Sequence, residues 1–92
     1  MMLTLSARAE RDLAEQIEWL AERSPQAARK ATERLLHAFG LLEEYPLICA
    51  EIQRGWREKS VRFGRDSYVI CYVVRRHDVF VVRIFHSRQD RG

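Results

Sequence analysis

Arg57, Lys59, Arg62, Arg83, Arg88 and His86 are the side chains whose types and spacing promise chemistry. Guanidinium and ammonium groups hold phosphates and carboxylates through charge-assisted hydrogen bonds. An imidazole titrates near neutrality, which makes His86 the candidate proton carrier. If the five cations converge on the uncovered face of a sheet, they form a cationic concavity for an acidic ligand. Strand parity restricts that constellation. Arg83 and His86 are three residues apart, so in an unbroken strand they face opposite ways. Either a bulge intervenes, or only one of them belongs to the cluster. Each also has a structural alternative. Arg83, between Val82 and Ile84, is equally suited to burial against a carboxylate such as Glu15 or Glu18, and His86 to packing or hydrogen bonding at a strand end.

The element that must carry these groups is the last third of the chain. Tyr68–Val74 and Val79–Phe85 are almost wholly β-branched or aromatic, and a polar insert, Arg75-Arg76-His77-Asp78, separates them. That pattern is a β-hairpin. Apolar residues at both parities place its strands centrally in a sheet or under cover on both faces. Trp56–Phe63 alternates imperfectly and reads as a further strand, joined to Tyr68 by the turn Gly64-Arg65-Asp66-Ser67. Leu47–Gly55 has no clear period and reads as loop.

Upstream, Leu3–Leu5 is a short apolar strand suited to a sheet edge. Ser6 is a helix N-cap. Ala9, Leu13, Ile17 and Leu20 then line one face of a helix from about Ala7 to Glu22. Trp19 lies off that stripe and is expected to pack against the next helix. Ser24-Pro25 restarts the chain as a second helix, because proline suits the first helical position. Ala28, Ala31, Leu35, Phe39 and Leu42 supply its stripe. Pro46 ends it by pushing the preceding residue out of the α region. Gly40, inside it, is expected to allow close packing, and His37 to lie on its surface without chemistry. The expectation is an α+β fold in two layers, β-α-α-β-β-β. An antiparallel helical hairpin packs on one face of a small, mainly antiparallel sheet, and residues 1–92 form a single domain.

Charge is divided between the two halves. Residues 1–53 hold six Arg or Lys against nine Asp or Glu; residues 54–92 hold ten against four. Basic charge gathered on one segment favours an acidic partner, nucleic acid or an acidic protein segment. No apolar run approaches the roughly 20 residues of a membrane span, so no membrane partner is expected. The N-terminus lacks the charged region and long apolar core of a signal peptide. Cys49 and Cys71 make no metal-ligand spacing with His37, His77 or His86 and read as reduced thiols of a cytoplasmic protein. There is no GxGxxG, Walker, HExxH or CxxC pattern, so no cofactor and no metal are expected.

Three stretches, in this order and spacing, carry a family resemblance: Leu3-Thr-Leu-Ser-Ala-Arg-Ala-Glu-Arg-Asp-Leu13 with Ile17, Tyr68-Val-Ile-Cys-Tyr72, and Arg83-Ile-Phe-His-Ser-Arg-Gln-Asp90. Together they resemble the RelE/ParE superfamily of type II toxin–antitoxin toxins across nearly the whole chain. The resemblance implies two helices on a small antiparallel sheet, in a cytoplasmic bacterial toxin neutralised by a cognate antitoxin. One branch of that superfamily cleaves mRNA in the ribosome with a basic and aromatic constellation; the ParE branch inhibits DNA gyrase.

This chain departs from the nuclease pattern. Val69 stands where that branch has an Arg after the first Tyr of a Tyr-Arg-x-x-Tyr strand. Ser60 and Arg62 stand where it has two alternating basic residues. No Tyr follows the last strand, and His86 is followed by Ser87 rather than Tyr; Arg88 does match its C-terminal Arg. Cleavage by 2′-hydroxyl attack needs a base, an acid and charge stabilisation. Arg62 and Arg88 supply charge, and His86 alone supplies proton transfer. The expectation is a ParE-like binding inhibitor of DNA gyrase that docks through Arg57, Arg62, Arg83, His86 and Arg88. The alternative is a ribosome-dependent mRNA endonuclease using Arg62, His86 and Arg88; a third is a member that retains only antitoxin binding and operator repression. Trp19 and Trp56 are the candidate apolar anchors for an acidic antitoxin segment that orders on binding.

Overall fold

The computed structural model describes residues 1–87. The order is β1 (Met2–Leu5), α1 (Ala7–Arg23), α2 (Pro25–Glu44), β2 (Glu51–Gln53), β3 (Trp56–Phe63), β4 (Asp66–Val74) and β5 (Asp78–His86). The strands form one sheet in the order β1-β5-β4-β3-β2, antiparallel except where β1 runs parallel to β5.

Local signals set the helix ends. Ser6 caps α1 by accepting from the Ala9 N–H, and Ser24 caps α2 by accepting from the Ala27 N–H. Ser24 is also the C-cap of α1, so one residue turns the chain between the helices. A connection that short makes the helices antiparallel neighbours. Two expectations about this hairpin are corrected. Trp19 is 46% exposed, with the Arg23 guanidinium 3.7 Å from its ring centre, instead of packing against α2. Gly40 is exposed, and a Cβ there would meet nothing within 4 Å, so it enables no close approach.

The hairpins of the C-terminal half form as expected, with one addition. Glu51–Gln53, inside the expected loop, is a short exposed strand that pairs antiparallel with Arg57 and Trp56. Gly55, with φ of +80°, turns the chain between these strands, and Gly64, with φ of +60°, does so between β3 and β4. Both need the left-handed conformation that glycine tolerates.

The core lies between the helices and one face of the sheet. It contains Ala9, Ala31, Leu35, Ala38, Phe39 and Leu42 from the helices, and Val61, Tyr68, Ile70, Tyr72, Val79, Val81 and Ile84 from the strands. Burying a side chain of the size of Leu35 or Ile70 contributes about 1.5–3 kcal/mol. On β5 this alignment needs an irregularity, because Val81 and Ile84 are three apart and would otherwise face opposite ways. The register supplies it: Cys71 pairs with Arg83 and Tyr72 with Val81, which leaves Val82 as an extra residue. This β-bulge resets the pleat so that both apolar groups enter the core.

Candidate functional site

The bulge precedes Arg83, so the parity argument holds: Arg83 and His86 face opposite ways. The register extends this to the other cations. Lys59 pairs with Ile70 and Arg57 with Tyr72, so both belong to the face carrying Val61, which the helices cover. Arg62 pairs with Ser67 on the other face. The expected convergence of Arg57, Lys59, Arg62 and Arg83 on the uncovered face is therefore corrected. Alternation around the buried Val61 was the signal that separates Arg57 and Lys59 from Arg62. Arg88 lies outside the described residues.

Each placed group has its own surroundings. Arg57 donates from Nη1 to the Cys49 carbonyl and lies 3.5 Å from Glu51. Beside it, Tyr72 donates its hydroxyl to the Pro46 carbonyl at 3.2 Å. Burial, with the Cys49 thiol next in effect, pushes the Tyr72 hydroxyl well above its ordinary value, so Tyr72 stays neutral. His86 lies 3.7 Å from the Asp66 carboxylate and edge-on to the Tyr68 ring, with centroids 5.4 Å apart. Tyr68 is buried and continues to Phe63 at 6.3 Å.

Of the two roles open to Arg83, the structure has the structural one, with Asp12 as the carboxylate in place of Glu15 or Glu18. Asp12 is 4% exposed and accepts from Arg83 Nε at 2.8 Å, Arg83 Nη2 at 3.2 Å and the Ile84 backbone N–H at 3.0 Å. Arg8, one turn earlier on α1, approaches the same carboxylate at 3.4 Å. Burial alone would raise the Asp12 pKa; the bonds from Arg83, Ile84 and Arg8 outweigh it and hold the carboxyl below its ordinary value. Sequence offered no signal for this partner, since Asp12 sits among the charged residues of an amphipathic helix.

The uncovered face is less cationic than expected. Its register rows bring together Ser60, Val69 and Phe85, then Glu58, Cys71 and Arg83, then Val73 and Phe80. Val69 and Cys71 are buried there by their neighbours. Arg75 lies 4.0 Å from the Phe80 ring centre and Arg83 4.5 Å from that of Phe85, so two of the cations cover aromatic surface. The positions where the nuclease pattern calls for basic groups hold Ser60 and Val69, with Arg62 beside them. The only histidine on strands β3 to β5 of the described residues, His86, belongs to the other face.

Large apolar side chains are exposed around the β2 end: Tyr45, Leu47, Ile48, Ile52 and Trp56, the last 41% exposed. Trp19 lies on the helical hairpin, away from that group. Among the described residues no helix is long and apolar enough to cross a membrane.

A helical hairpin laid on a sheet with one parallel edge strand defines a small two-layer α+β domain. The family profile described as "ParE toxin of type II toxin-antitoxin system, parDE" matches residues 3–91, and the chain belongs to that family, within the RelE/ParE superfamily. Two relatives from Caulobacter vibrioides are similar over almost their whole lengths. Toxin RelE1 is 38% identical over 87 residues, covering 95% of this chain and 94% of the relative. Toxin RelE3 is 34% identical over 87 residues, covering 95% of each. A solved structure titled "Chromosomal ParDE TA system from P. aeruginosa" has the same fold, with a TM-score of 0.71 at 19% identity over 91% of this chain and 92% of that one. The chain is thus a type II toxin of the ParE/RelE superfamily, a class that implies a cognate antitoxin.

Proposed function

We propose that this toxin acts in the cytoplasm by binding, as a ParE-like inhibitor of DNA gyrase, and has no catalysis of its own. The observation that carries the reading is the division of groups just described. Phosphodiester cleavage needs a base, an acid and charge stabilisation gathered within hydrogen-bond reach of one phosphate. Here Arg83 is committed to Asp12, Arg57 to Cys49 and Glu51, and His86 lies on the face opposite Arg62. A face that mixes Val69, Cys71, Val73, Phe80 and Phe85 with Glu58, Arg62 and Arg83 supports docking to a protein better than proton transfer to a leaving group.

A second reading, a ribosome-dependent mRNA endonuclease, draws on the names of the Caulobacter relatives and on one local feature. His86 stands 3.7 Å from the Asp66 carboxylate and edge-on to Tyr68, and an imidazole beside a carboxylate is a candidate for proton transfer. Brief induction without antitoxin separates the two. Incorporation of labelled thymidine falling before that of methionine is the expected result. Translation falling first, with new RNA ends inside open reading frames, overturns the binding reading. Unchanged growth would leave only antitoxin binding and operator repression.

A further inference from the structure

Five large apolar side chains are left in water at the β2 end of the sheet: Tyr45 is 53% exposed, Leu47 64%, Ile48 58%, Ile52 61% and Trp56 41%. The loop that presents the first three is fastened. The Ile48 N–H bonds to the Tyr45 carbonyl at 3.1 Å, Tyr72 donates its hydroxyl to the Pro46 carbonyl, and Arg57 donates to the Cys49 carbonyl. Leu47 and Ile48 are therefore held outward by their backbone, on the side of the sheet from which Tyr72 and Arg57 reach. Trp56 alternates with Arg57 and emerges on the other side. There, with Ile52, Gln53 and Glu58, it lines an open depression of about 280 Å³. Between the two groups runs β2, the last strand of the sheet, with no strand beyond it among the described residues. Glu51 pairs with Arg57 and Gln53 with Trp56, which leaves Ile52 as the extra residue of a bulge. An edge so short and irregular offers few ladder bonds. What it offers is apolar surface on both flanks.

We infer that a second copy of this chain docks at the β2 end, related to the first by a two-fold axis through β2. The inference goes beyond the reading of the toxin's target and holds whichever target it takes. Three features choose this occupant. The first is area. The five side chains expose about 500–600 Å², the upper end of what a monomer shows as one patch. Two such patches face to face bury about 1,000–1,200 Å², the size at which specific interfaces begin. The second is charge. Glu51 opens β2 and Arg54 lies just past its end, both exposed. A two-fold axis between Ile52 and Gln53 sets Glu51 of each copy opposite Arg54 of the other, so the patch complements itself. Nucleic acid would instead meet the carboxylates of Glu51 and Glu58 beside apolar surface. The third is composition: aliphatic and aromatic groups at the centre with charges outside them are the arrangement of an interface between like chains. An area at the low end of the range makes a weak dimer, dissociating at about micromolar concentration.

The test is sedimentation equilibrium of the full toxin, separated from its antitoxin, across a wide range of concentration. Wild type is expected to pass from monomer to dimer at about micromolar concentration. The double variant Leu47→Glu, Ile52→Glu puts charge at the centre of the patch and is expected to weaken dimerisation by at least about tenfold. The two-fold geometry has its own test. Arg54→Glu and Glu51→Lys each set like charges opposite one another in their own homodimer, and each is expected to weaken it about threefold or more. Mixed in equal amounts, the two restore opposite charges at both contacts, and a heterodimer about as tight as wild type is expected. All variants are first checked for a wild-type thermal transition, and Arg54→Glu, at an exposed turn, keeps the test open if the double variant fails to fold. A monomer at every concentration, a dimer indifferent to both the central and the rim substitutions, or assembly into larger species overturns the inference. So does a double variant that still dimerises but no longer binds antitoxin, which would give the patch to the antitoxin instead.

Discussion

At one edge of the sheet, β5 stops pairing with β1 at Val81, and the helices take over. The Ser6 N–H bonds to the Val81 carbonyl at 2.9 Å, and the Ser6 hydroxyl donates to the Val82 carbonyl at 2.7 Å. Asp12 then accepts from the Ile84 N–H, and Gln16, one turn further along α1, donates to the Ile84 carbonyl at 2.8 Å. On the outer side of β1, Glu43 of α2 accepts from the Leu3 N–H at 3.1 Å. At the other edge, β3 has β2 against two of its residues and Arg34 against one carbonyl. One edge is sealed by side chains of both helices; the other, among the described residues, is left partly open beside a basic cleft. Sheet edges that are not blocked invite pairing with another chain.

If the sealed edge holds the fold together and the open one contributes little to it, substitutions at the two should differ in cost. The largest effect is expected for Asp12→Ala. It leaves Arg83 without its partner and the Ile84 N–H without an acceptor, so unfolding in urea should show a loss of about 3–5 kcal/mol. That is a large part of the roughly 5–15 kcal/mol that keeps a domain folded. A loss under 1 kcal/mol would mean that the ion pair is incidental.

The same group gives the edge a pH signature. Because the folded pKa of Asp12 is lowered, its contribution is present above the unfolded value of 3.8 and is lost as pH falls through the folded value. Wild type should therefore lose stability on acidification below about pH 4, and Asp12→Asn should lose less over that interval, measured by thermal melts across pH.

Gln16→Ala strips the Ile84 carbonyl of its donor and should cost about 1–3 kcal/mol. Ser6→Ala removes both the α1 cap and the bond to Val82 and should cost about 1 kcal/mol, within the usual range for caps. Arg34→Ala, on the open edge, should stay within about 0.5 kcal/mol of wild type, as exposed surface substitutions do. If Arg34→Ala proves as costly as Gln16→Ala, the contrast between the edges fails.

The helices were legible in sequence because their signals are local. Ser6, Ser24-Pro25 and Pro46 mark their ends by backbone chemistry that needs no tertiary context. Val79–Phe85 and Tyr68–Val74 declared themselves by composition. Glu51–Gln53 did not, because three exposed residues have no period to show, and their strand state comes from pairing with Trp56 and Arg57. Trp19 misled for a geometric reason: one residue before Leu20 means a rotation of about 100° around the helix, enough to leave the core.

The cations of the sheet could be named from sequence, but not their arrangement. Parity correctly separated Arg83 from His86, and the same rule, applied around Val61, assigns Arg57 and Lys59 to the covered face. The bulge at Val82 has no sequence mark, and the Asp12 partner of Arg83 lies 71 residues away along the chain. Contacts of that kind are set by how α1 lies across β5, which no window of sequence contains.

Purified toxin, freed of antitoxin and added in excess, should be tested in parallel on gyrase with relaxed plasmid and on translating ribosomes with defined message. A toxin that works by docking leaves the plasmid unsupercoiled, or raises its cleaved form, while the message stays intact. Message cut on the ribosome, with supercoiling undisturbed, would contradict the account.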